Sequence, residues 1–479
     1  MYAPLPNMVK KTKIIATMGP ASSDPAVIYE LINSGVDLFR INFSHGKRES
    51  HQENIDNIRR IADELDKPIA ILGDLQGPKI RVAKFADGKV NLKLNQQIIL
   101  DCSYKEPGND QIVGVDYPEL AKDVVKDDTL LLDDGKIAFR VEKVEGDQVH
   151  CIVIQAGVLS NNKGINKLGG GLTAPALTTK DFADIQFAAE SKLDYLAVSF
   201  VRDSTDIILT RTLLATHNGR CAVIAKIERV EAITNLENIV KSSDGIMVAR
   251  GDLAVEVGDA QVPALQKKMI KCAQKYHKLS IVATQMLESM ITNPVATRAE
   301  ISDIANAVLD GTDAVMLSAE TASGAYPVFA VSTMARTCIE AEKNQDDDIE
   351  LNFRGQKFEF IDQAIAMSAL FSSYHLQARA IVSLTTSGVT ALWLSRVNSG
   401  IPVYAITDSK KAAQLMALYR DVHPIYVSGE SKSMEEMLDY AKATLIKMGL
   451  IQAGDTVLLT MGNHIHEIGG TNTMKIVKW

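Results

Sequence analysis

The chain reads as an α/β protein: a (β/α)8 TIM barrel with an inserted small β-barrel lid domain, followed by an open α/β domain. Three observations predict this. Short Val- and Ile-rich runs alternate with amphipathic helical stretches from Lys13 to Asp74 and again after Leu172, the pattern of a parallel sheet. Between Leu75 and Leu172 the pattern changes to alternating segments with Asp-Gly turns, as in antiparallel β structure. Outside that insert, eight strand-like runs fall within about 250 residues, the strand count and size of a barrel.

The elements follow in order. KIIATMG, LFRINFSHG and IAILGDL give the first three strands. The first helix opens on Ser23-Asp24-Pro25, a capping residue followed by Pro in the first turn, and stops near Gly35. The second carries Ile55, Ile58, Ile61, Ala62 and Leu65 at helical spacing and ends before Pro68. The insert holds GKVNLKLNQQIIL and KIAFRVEKVEGDQVHCIVIQ and is flanked by Gly77-Pro78 and Gly169-Gly170-Gly171, which read as hinges. LAVSF, AVIAKI, GIMVA, LSIVATQM and AVMLSAE complete the barrel, and Thr297-Arg-Ala-Glu300 is a capping box. A charged stretch at Asn344-Gln-Asp-Asp-Asp-Ile marks the next boundary, and about five further strands follow. The predicted units are 1–74 with 173–345, 75–172, and 346–479.

Composition narrows the function classes. With 479 residues the length suits roughly three domains, and 46% hydrophobic and 23% charged residues are ordinary globular values. A net charge of −8 gives no footprint for nucleic acid or an anionic membrane. No apolar run approaches the roughly 18 residues of a membrane span. The polar, Pro-containing start is neither a secretory signal nor an anchor, so the expected location is cytoplasmic. Five scattered cysteines, without a C-x-x-C pair, are expected to be reduced core residues.

The chemistry concentrates between Cys221 and Glu256. Two strand-like runs there end in charge, Lys226 with Glu228 and Arg250 with Asp252. Residues two apart on a strand share a face, so each pair is expected to point one way. Either pair alone reads as a surface salt bridge, but the same switch on two successive strands places a cation and two carboxylates at one end of a sheet. A barrel carries its active site at the carboxyl ends of its strands. Those ends hold Arg40, Asn42, Ser44, Asp74, Ser199, Lys226, Glu228, Asp252, Thr284, Ser318 and Glu320.

Mg²⁺ takes one or two protein carboxylates and fills its shell with water and substrate phosphate, and Glu228 and Asp252 supply that number. The nine histidines are dispersed, and His464 and His466 in the last loop read as solvated residues. With Lys226, Arg40 and Arg81 the site pairs a divalent cation with fixed positive charge, as phosphoryl transfer requires. No Walker A or kinase Gly-rich loop is present, so a nucleotide would sit under the insert acting as a lid. In the last domain Thr385-Thr386-Ser387-Gly388-Val389-Thr390 opens a helix. A phosphate cradle and an empty capping turn are equally good readings of it.

Taken together, IVAKIERVEAI, FRINFSHG, GDLQGPKIR, MVARGDLAVEVG, ATQMLESMITNP and DAVMLSAETASGAYP resemble pyruvate kinase, and the resemblance runs along essentially the whole chain. It implies transfer of the phosphoryl group of phosphoenolpyruvate to ADP, giving pyruvate and ATP, by a Mg²⁺-dependent enzyme that also accepts Mn²⁺. A homotetramer with a C-terminal regulatory domain is implied too. Carried over by motif, Lys226 stabilises charge on the phosphoryl group and the enolate, and Glu228 and Asp252 hold Mg²⁺. Arg40, Ala249, Arg250, Gly251, Asp252 and Thr284 bind substrate, and Asn42, Ser44, His45, Arg81 and Lys163 bind nucleotide. Thr284, Ser318 and Glu320 resemble the polar group that delivers the proton through water, although a structural hydrogen bond explains Ser318 and Glu320 as well. Thr385, Thr386, Ser387, Gly388 and Thr390 resemble the effector phosphate loop. The segments GDLQGPKIR and SNNKGINKLGGG look like the bacterial subgroup regulated by a monophosphate such as AMP or ribose 5-phosphate.

One departure stands out. Family members that need K⁺ hold it at positions matching Asn42, Ser44, Asp74 and the carbonyl of Leu75, and carry a glutamate just beyond. Here Lys79 takes the glutamate's place and Leu75 that of a threonine, so an ammonium is expected to supply the charge of K⁺ and activity is expected not to require that ion. Two other readings compete. A metal-dependent barrel lyase or aldolase acting on phosphoenolpyruvate or pyruvate leaves the lid unexplained. A non-catalytic phosphometabolite sensor leaves Lys226, Glu228, Asp252 and Thr284 without a purpose.

Overall fold

The computed structural model describes residues 10–345, 357–428, 433–463 and 469–479. Strands β1 (Lys13–Thr17), β2 (Leu38–Asn42) and β3 (Ala70–Asp74) lead into the insert. There follow β4 (Lys89–Leu92), β5 (Gln97–Asp101), β6 (Ile112–Gly114), β7 (Thr129–Leu132), β8 (Ile137–Glu145), β9 (Gln148–Gln155), β10 (Gly157–Ser160) and β11 (Ile165–Lys167). β12 (Tyr195–Val198), β13 (Ala222–Ile227), β14 (Gly245–Ala249), β15 (Leu279–Ala283) and β16 (Ala314–Leu317) join β1, β2 and β3 in a closed, eight-stranded parallel barrel.

The barrel helices start where their caps dictate. Asp24 accepts from the amide of Ala26 ahead of the helix Pro25–Asn33. The Thr297–Glu300 capping box opens the helix Arg298–Leu309.

Strand parity then decides which side chains face where. Ile15, Leu38, Leu72, Ala197, Ile224, Met247, Ile281 and Met316 fill the barrel interior, while Ile14, Phe39, Ile71, Leu196, Val223, Ile246, Val282 and Val315 pack under the helices. Each fully buried Ile or Leu contributes about 1.5–3 kcal/mol. Stepping up by two, the inward positions become Thr17, Arg40, Asp74, Ser199, Lys226 and Ser318, with Asn42 one step further and only β14 and β15 staying apolar at Ala249 and Ala283, so the apolar filling gives way to a largely polar mouth.

The insert closes on itself. Its six-stranded sheet runs β11-β7-β8-β9-β5-β6, and β10 pairs with β4 alongside. Arg81 bridges Gly164 next to β11, and Val82 bridges Val115 next to β6, so a segment too short to be a strand joins the two edges of the sheet. All five cysteines are free, as expected, and only Cys272 is not fully buried.

Beyond the undescribed residues 346–356, where the sequence boundary falls, β17 (Ala380–Leu384), β18 (Val403–Thr407), β19 (Val422–Tyr426), β20 (Thr456–Gly462) and β21 (Thr471–Lys478) form an open sheet, with β21 antiparallel. This domain packs against the floor of the barrel, away from the polar mouth: Tyr195 donates to the carbonyl of Leu415 at 2.5 Å, Lys13 to that of Val422 at 2.7 Å, and Arg396 pairs with Asp313. No helix among the described residues is long and apolar enough to cross a membrane.

Candidate active site

The polar mouth of the barrel and the near edge of the insert enclose a cavity of about 320 Å³. Arg40, Asn42, Ser44, His45, Asp74, Leu75, Lys79, Arg81, Lys163, Lys226, Glu228 and Asp252 all line it. At its centre Lys226 lies 2.9 Å from Glu228 Oε1 and 3.3 Å from Asp74 Oδ1, and donates to Ser199 Oγ at 2.7 Å. The Ser199 hydroxyl in turn donates a hydrogen bond to the carbonyl of Leu75 at 2.7 Å. Arg40 Nε reaches Asp74 Oδ2 at 2.6 Å and its Nη1 reaches the hydroxyl of Thr17.

Burial disfavours charge on Lys226, but Asp74 and Glu228 outweigh it and raise its pKa, so the ammonium is fixed. Burial alone would lift Asp74, yet Lys226 and Arg40 hold it below the ordinary carboxylate range. Glu228 is pushed up by burial, drawn back by Lys226 and pushed up again by Asp252.

Two carboxylates line one cavity, Glu228 buried beside the Lys226 ammonium and Asp252 half-buried, which is the number of protein carboxylates that Mg²⁺ takes, so Glu228 and Asp252 fit that ion. Among the described residues no three His, Cys, Asp or Glu side chains gather as a metal site.

The structure corrects the reading of Arg250 and Asp252 as one strand face. β14 ends at Ala249, and the helix Arg250–Val257 starts at once. Residues two apart on a helix lie about 200° apart. Asp252 therefore turns to the cavity, while Arg250 is buried and pairs with Asp303 at 2.7 Å.

The positive charge acting on Asp74 also comes from Lys226 and Arg40, whereas Lys79 lies exposed on the cavity wall. Three of the oxygens matched to the K⁺ site have partners: Asn42 Oδ1 takes the Ser44 amide, the Leu75 carbonyl takes Ser199, and Asp74 Oδ2 takes Arg40, while Asp74 Oδ1 is buried without a hydrogen bond, 3.3 Å from the Lys226 ammonium.

Thr284 is not among the cavity-lining residues; its Oγ1 accepts from the amide of Gly251 at 2.9 Å and donates to the carbonyl of Ala283. Glu320 is buried, and its two oxygens accept from the amides of Leu287 and Ser318. That is the structural hydrogen bond weighed against a proton-relay role.

Two relatives of known name and two family matches bear on this geometry. A model described as pyruvate kinase, barrel domain, matches residues 9–331, and one described as pyruvate kinase, alpha/beta domain, matches residues 363–477. Pyruvate kinase of Buchnera aphidicola subsp. Schizaphis graminum is 48% identical over 98% of this chain and 99% of its own length. Pyruvate kinase II of Salmonella typhimurium is 45% identical, covering 98% of each. The chain belongs to the pyruvate kinase family.

It is accordingly an enzyme, a phosphotransferase acting as a pyruvate kinase. Other parts of the cavity wall in this pyruvate kinase were not singled out from sequence. Asp133 and Asp134 come from the insert, and both are left-handed, with φ of 50° and 56°. Asp133 pairs with Lys163 at 2.7 Å. Their only signal was the Asp134-Gly135 turn. In the C-terminal domain Thr385, Thr386, Ser387 and Thr390 line a recess of about 40 Å³. Thr385 Oγ1 takes the Gly388 amide and the hydroxyl of Thr390 meets that of Thr471, so part of the loop's polar capacity serves the turn itself. His464 and His466 lie outside the described residues.

Proposed function

We propose that the chain moves the phosphoryl group of phosphoenolpyruvate to ADP and protonates the resulting enolate to pyruvate. The observation that carries this reading is the Lys226 ammonium, held by Ser199 and flanked by Glu228 and Asp74 in a cavity shared with Arg40 and Asp252. A charge fixed before substrate arrives needs no reorganisation when negative charge builds on phosphoryl oxygens and enolate. Arg40 binds the phosphate. Mg²⁺, or Mn²⁺ in its place, bound by Glu228 and Asp252 supplies the countercharge that phosphoryl transfer demands. The backbone from Ala249 to Gly251 and the hydroxyl of Thr284 hold the substrate carboxylate. Thr284 and Ser318 carry the proton through water, with Glu320 fixing the Ser318 amide.

Asn42, Ser44, His45, Arg81 and Lys163 hold the nucleotide beneath residues 75–172, which act as a lid on the barrel of residues 1–74 and 173–345. Residues 346–479 regulate the enzyme through a phosphorylated effector at Thr385, Thr386, Ser387, Gly388 and Thr390. The partners already held by Asn42, Asp74 and Leu75 support activity without K⁺. The working form is a cytoplasmic homotetramer.

A coupled assay of pyruvate release tests the reaction. Product is expected only when phosphoenolpyruvate, ADP and Mg²⁺ are all present, and release without ADP would overturn the phosphotransfer reading.

A further inference from the structure

The returning arm of the insert meets the barrel at a buried charge cluster outside the substrate cavity. Gly169, Gly170 and Gly171 have φ of 84°, 78° and 95°, a run that side-chain-bearing residues adopt only under strain. The amide of Gly169 donates to the carbonyl of Glu256 at 2.9 Å, and that of Gly171 to Glu231 Oε1 at 2.7 Å. Arg229 Nη1 donates to the carbonyls of Leu172 and Ala174 at 3.4 and 3.2 Å. Glu256 Oε2 accepts from the amide of Val230 at 3.0 Å.

The charges in this cluster are poorly matched. Arg229 is 4% exposed, yet none of the ion pairs within 4 Å among the described residues includes it. Its hydrogen bonds go to two neutral carbonyls, and its Cζ lies 5.5 Å from the ring centre of Phe200. Glu231 Oε2 is buried without a hydrogen-bond partner. Among the described residues neither the Arg229 guanidinium, which rests on carbonyls, nor the Glu231 carboxylate has an opposite charge within 4 Å, and the cost of burying the two falls when they meet. Glu231 and Arg229 hold consecutive residues of the arm, Gly171 and Leu172, which brings the two charges to one place.

The cluster also touches both arms of the insert and the site. Phe200, under Arg229, donates its amide to Glu228 Oε2 at 2.7 Å. A Cβ on Gly77, in the outgoing arm, would lie 2.8 Å from the ring of Phe200. A movement of either arm therefore reaches a hydrogen bond of Glu228.

We propose that Arg229, Glu231 and Glu256 are the pivot of the insert, with Glu231 a positioning residue that takes over Arg229 from the carbonyls of Leu172 and Ala174 when the insert closes. The exchange leaves Glu228 in place for the metal through Phe200. This rests on the reading of the insert as a lid over nucleotide.

Glu231→Gln tests it, since the amide oxygen can still accept from Gly171 while the charge is gone; Glu256→Gln serves as a second variant. Hydrogen exchange of residues 165–174, with and without Mg²⁺ and ADP, reads the pivot, and steady-state kinetics read the reaction. Wild type is expected to gain protection with Mg²⁺ and ADP. Glu231→Gln is expected to lose that gain and to raise the KM for ADP roughly tenfold, with the KM for phosphoenolpyruvate changed less than about twofold. A Glu231→Gln protein that gains protection as wild type does overturns the pivot alone. Wild type without any gain overturns the lid reading and the pivot with it. Equal losses for both substrates reduce Glu231 to a structural residue.

Discussion

Arg250 and Asp303 form a two-pronged ion pair, with Nη1 2.8 and 2.7 Å from the two carboxylate oxygens. Through Nη2 the same guanidinium donates to the carbonyl of Thr284 at 2.6 Å. Thr284 is β-branched and sits at φ 68°, a conformation that costs on the order of 1–3 kcal/mol and persists only when its surroundings enforce it.

Asp303→Ala should release this clamp. Without its carboxylate Arg250 loses its anchor, Thr284 relaxes, and the hydroxyl that meets the Gly251 amide moves away. The KM for phosphoenolpyruvate should rise roughly tenfold with little change in the KM for ADP. Steady-state kinetics decide it, and an unchanged value would mean the loop keeps its conformation unaided.

Lys226→Met should lower kcat by about 10²–10³-fold while circular dichroism stays that of wild type. The loss also leaves Glu228 and Asp74 buried beside each other without their shared cation. Asp74 keeps Arg40, but Glu228 has no other cation within 4 Å among the described residues, so adding Glu228→Gln should restore stability lost in the single variant, because breaking a buried pair costs more than removing both partners. Denaturant midpoints of the two variants give the comparison.

Much of this was legible in the sequence because strand parity is strict. Once Ile224 is placed inside the barrel, Lys226 must follow it at the mouth, and the same step takes Leu72 to Asp74 and Leu38 to Arg40. What failed was the place where parity stops. GIMVARGD carries no signal that the helix starts at Arg250 rather than later, so Arg250 was put on the same face as Asp252. Its partner Asp303 lies on an outer helix 53 residues on, and local patterning cannot reveal such a contact. Asp133 was missed because an Asp-Asp-Gly turn looks alike whether it faces solvent or a substrate.

Activity should persist with sodium or tetramethylammonium as the only monovalent cation. Arg40 and Lys226 already compensate Asp74, and Lys79 adds positive charge to the cavity wall. Lys79→Glu should bring in a negative charge that calls for a cation, and make turnover rise with added K⁺. A strict K⁺ requirement in the wild type would sink this account.

The floor of the barrel offers a pH test that leaves the catalytic cavity untouched. Lys13 is 3% exposed at the start of β1, and its Nζ donates to the carbonyl of Val422 in the C-terminal domain. Burial lowers its pKa from 10.5 to about 8, against the pull of Asp37, Asp421 and Glu342 and with the push of Lys10. Because the folded value lies below the unfolded one, the folded chain binds fewer protons between pH 8 and 10.5, and stability rises with pH across that window. Below pH 8 the buried charge costs on the order of 3 kcal/mol, and that penalty fades as the pH climbs. Lys13→Met carries no such charge, so its stability relative to wild type should be greatest near pH 7 and shrink toward pH 10. Paired denaturant titrations at the two pH values measure the difference, and a gap that stays constant would show that Lys13 keeps its ordinary pKa in the folded chain.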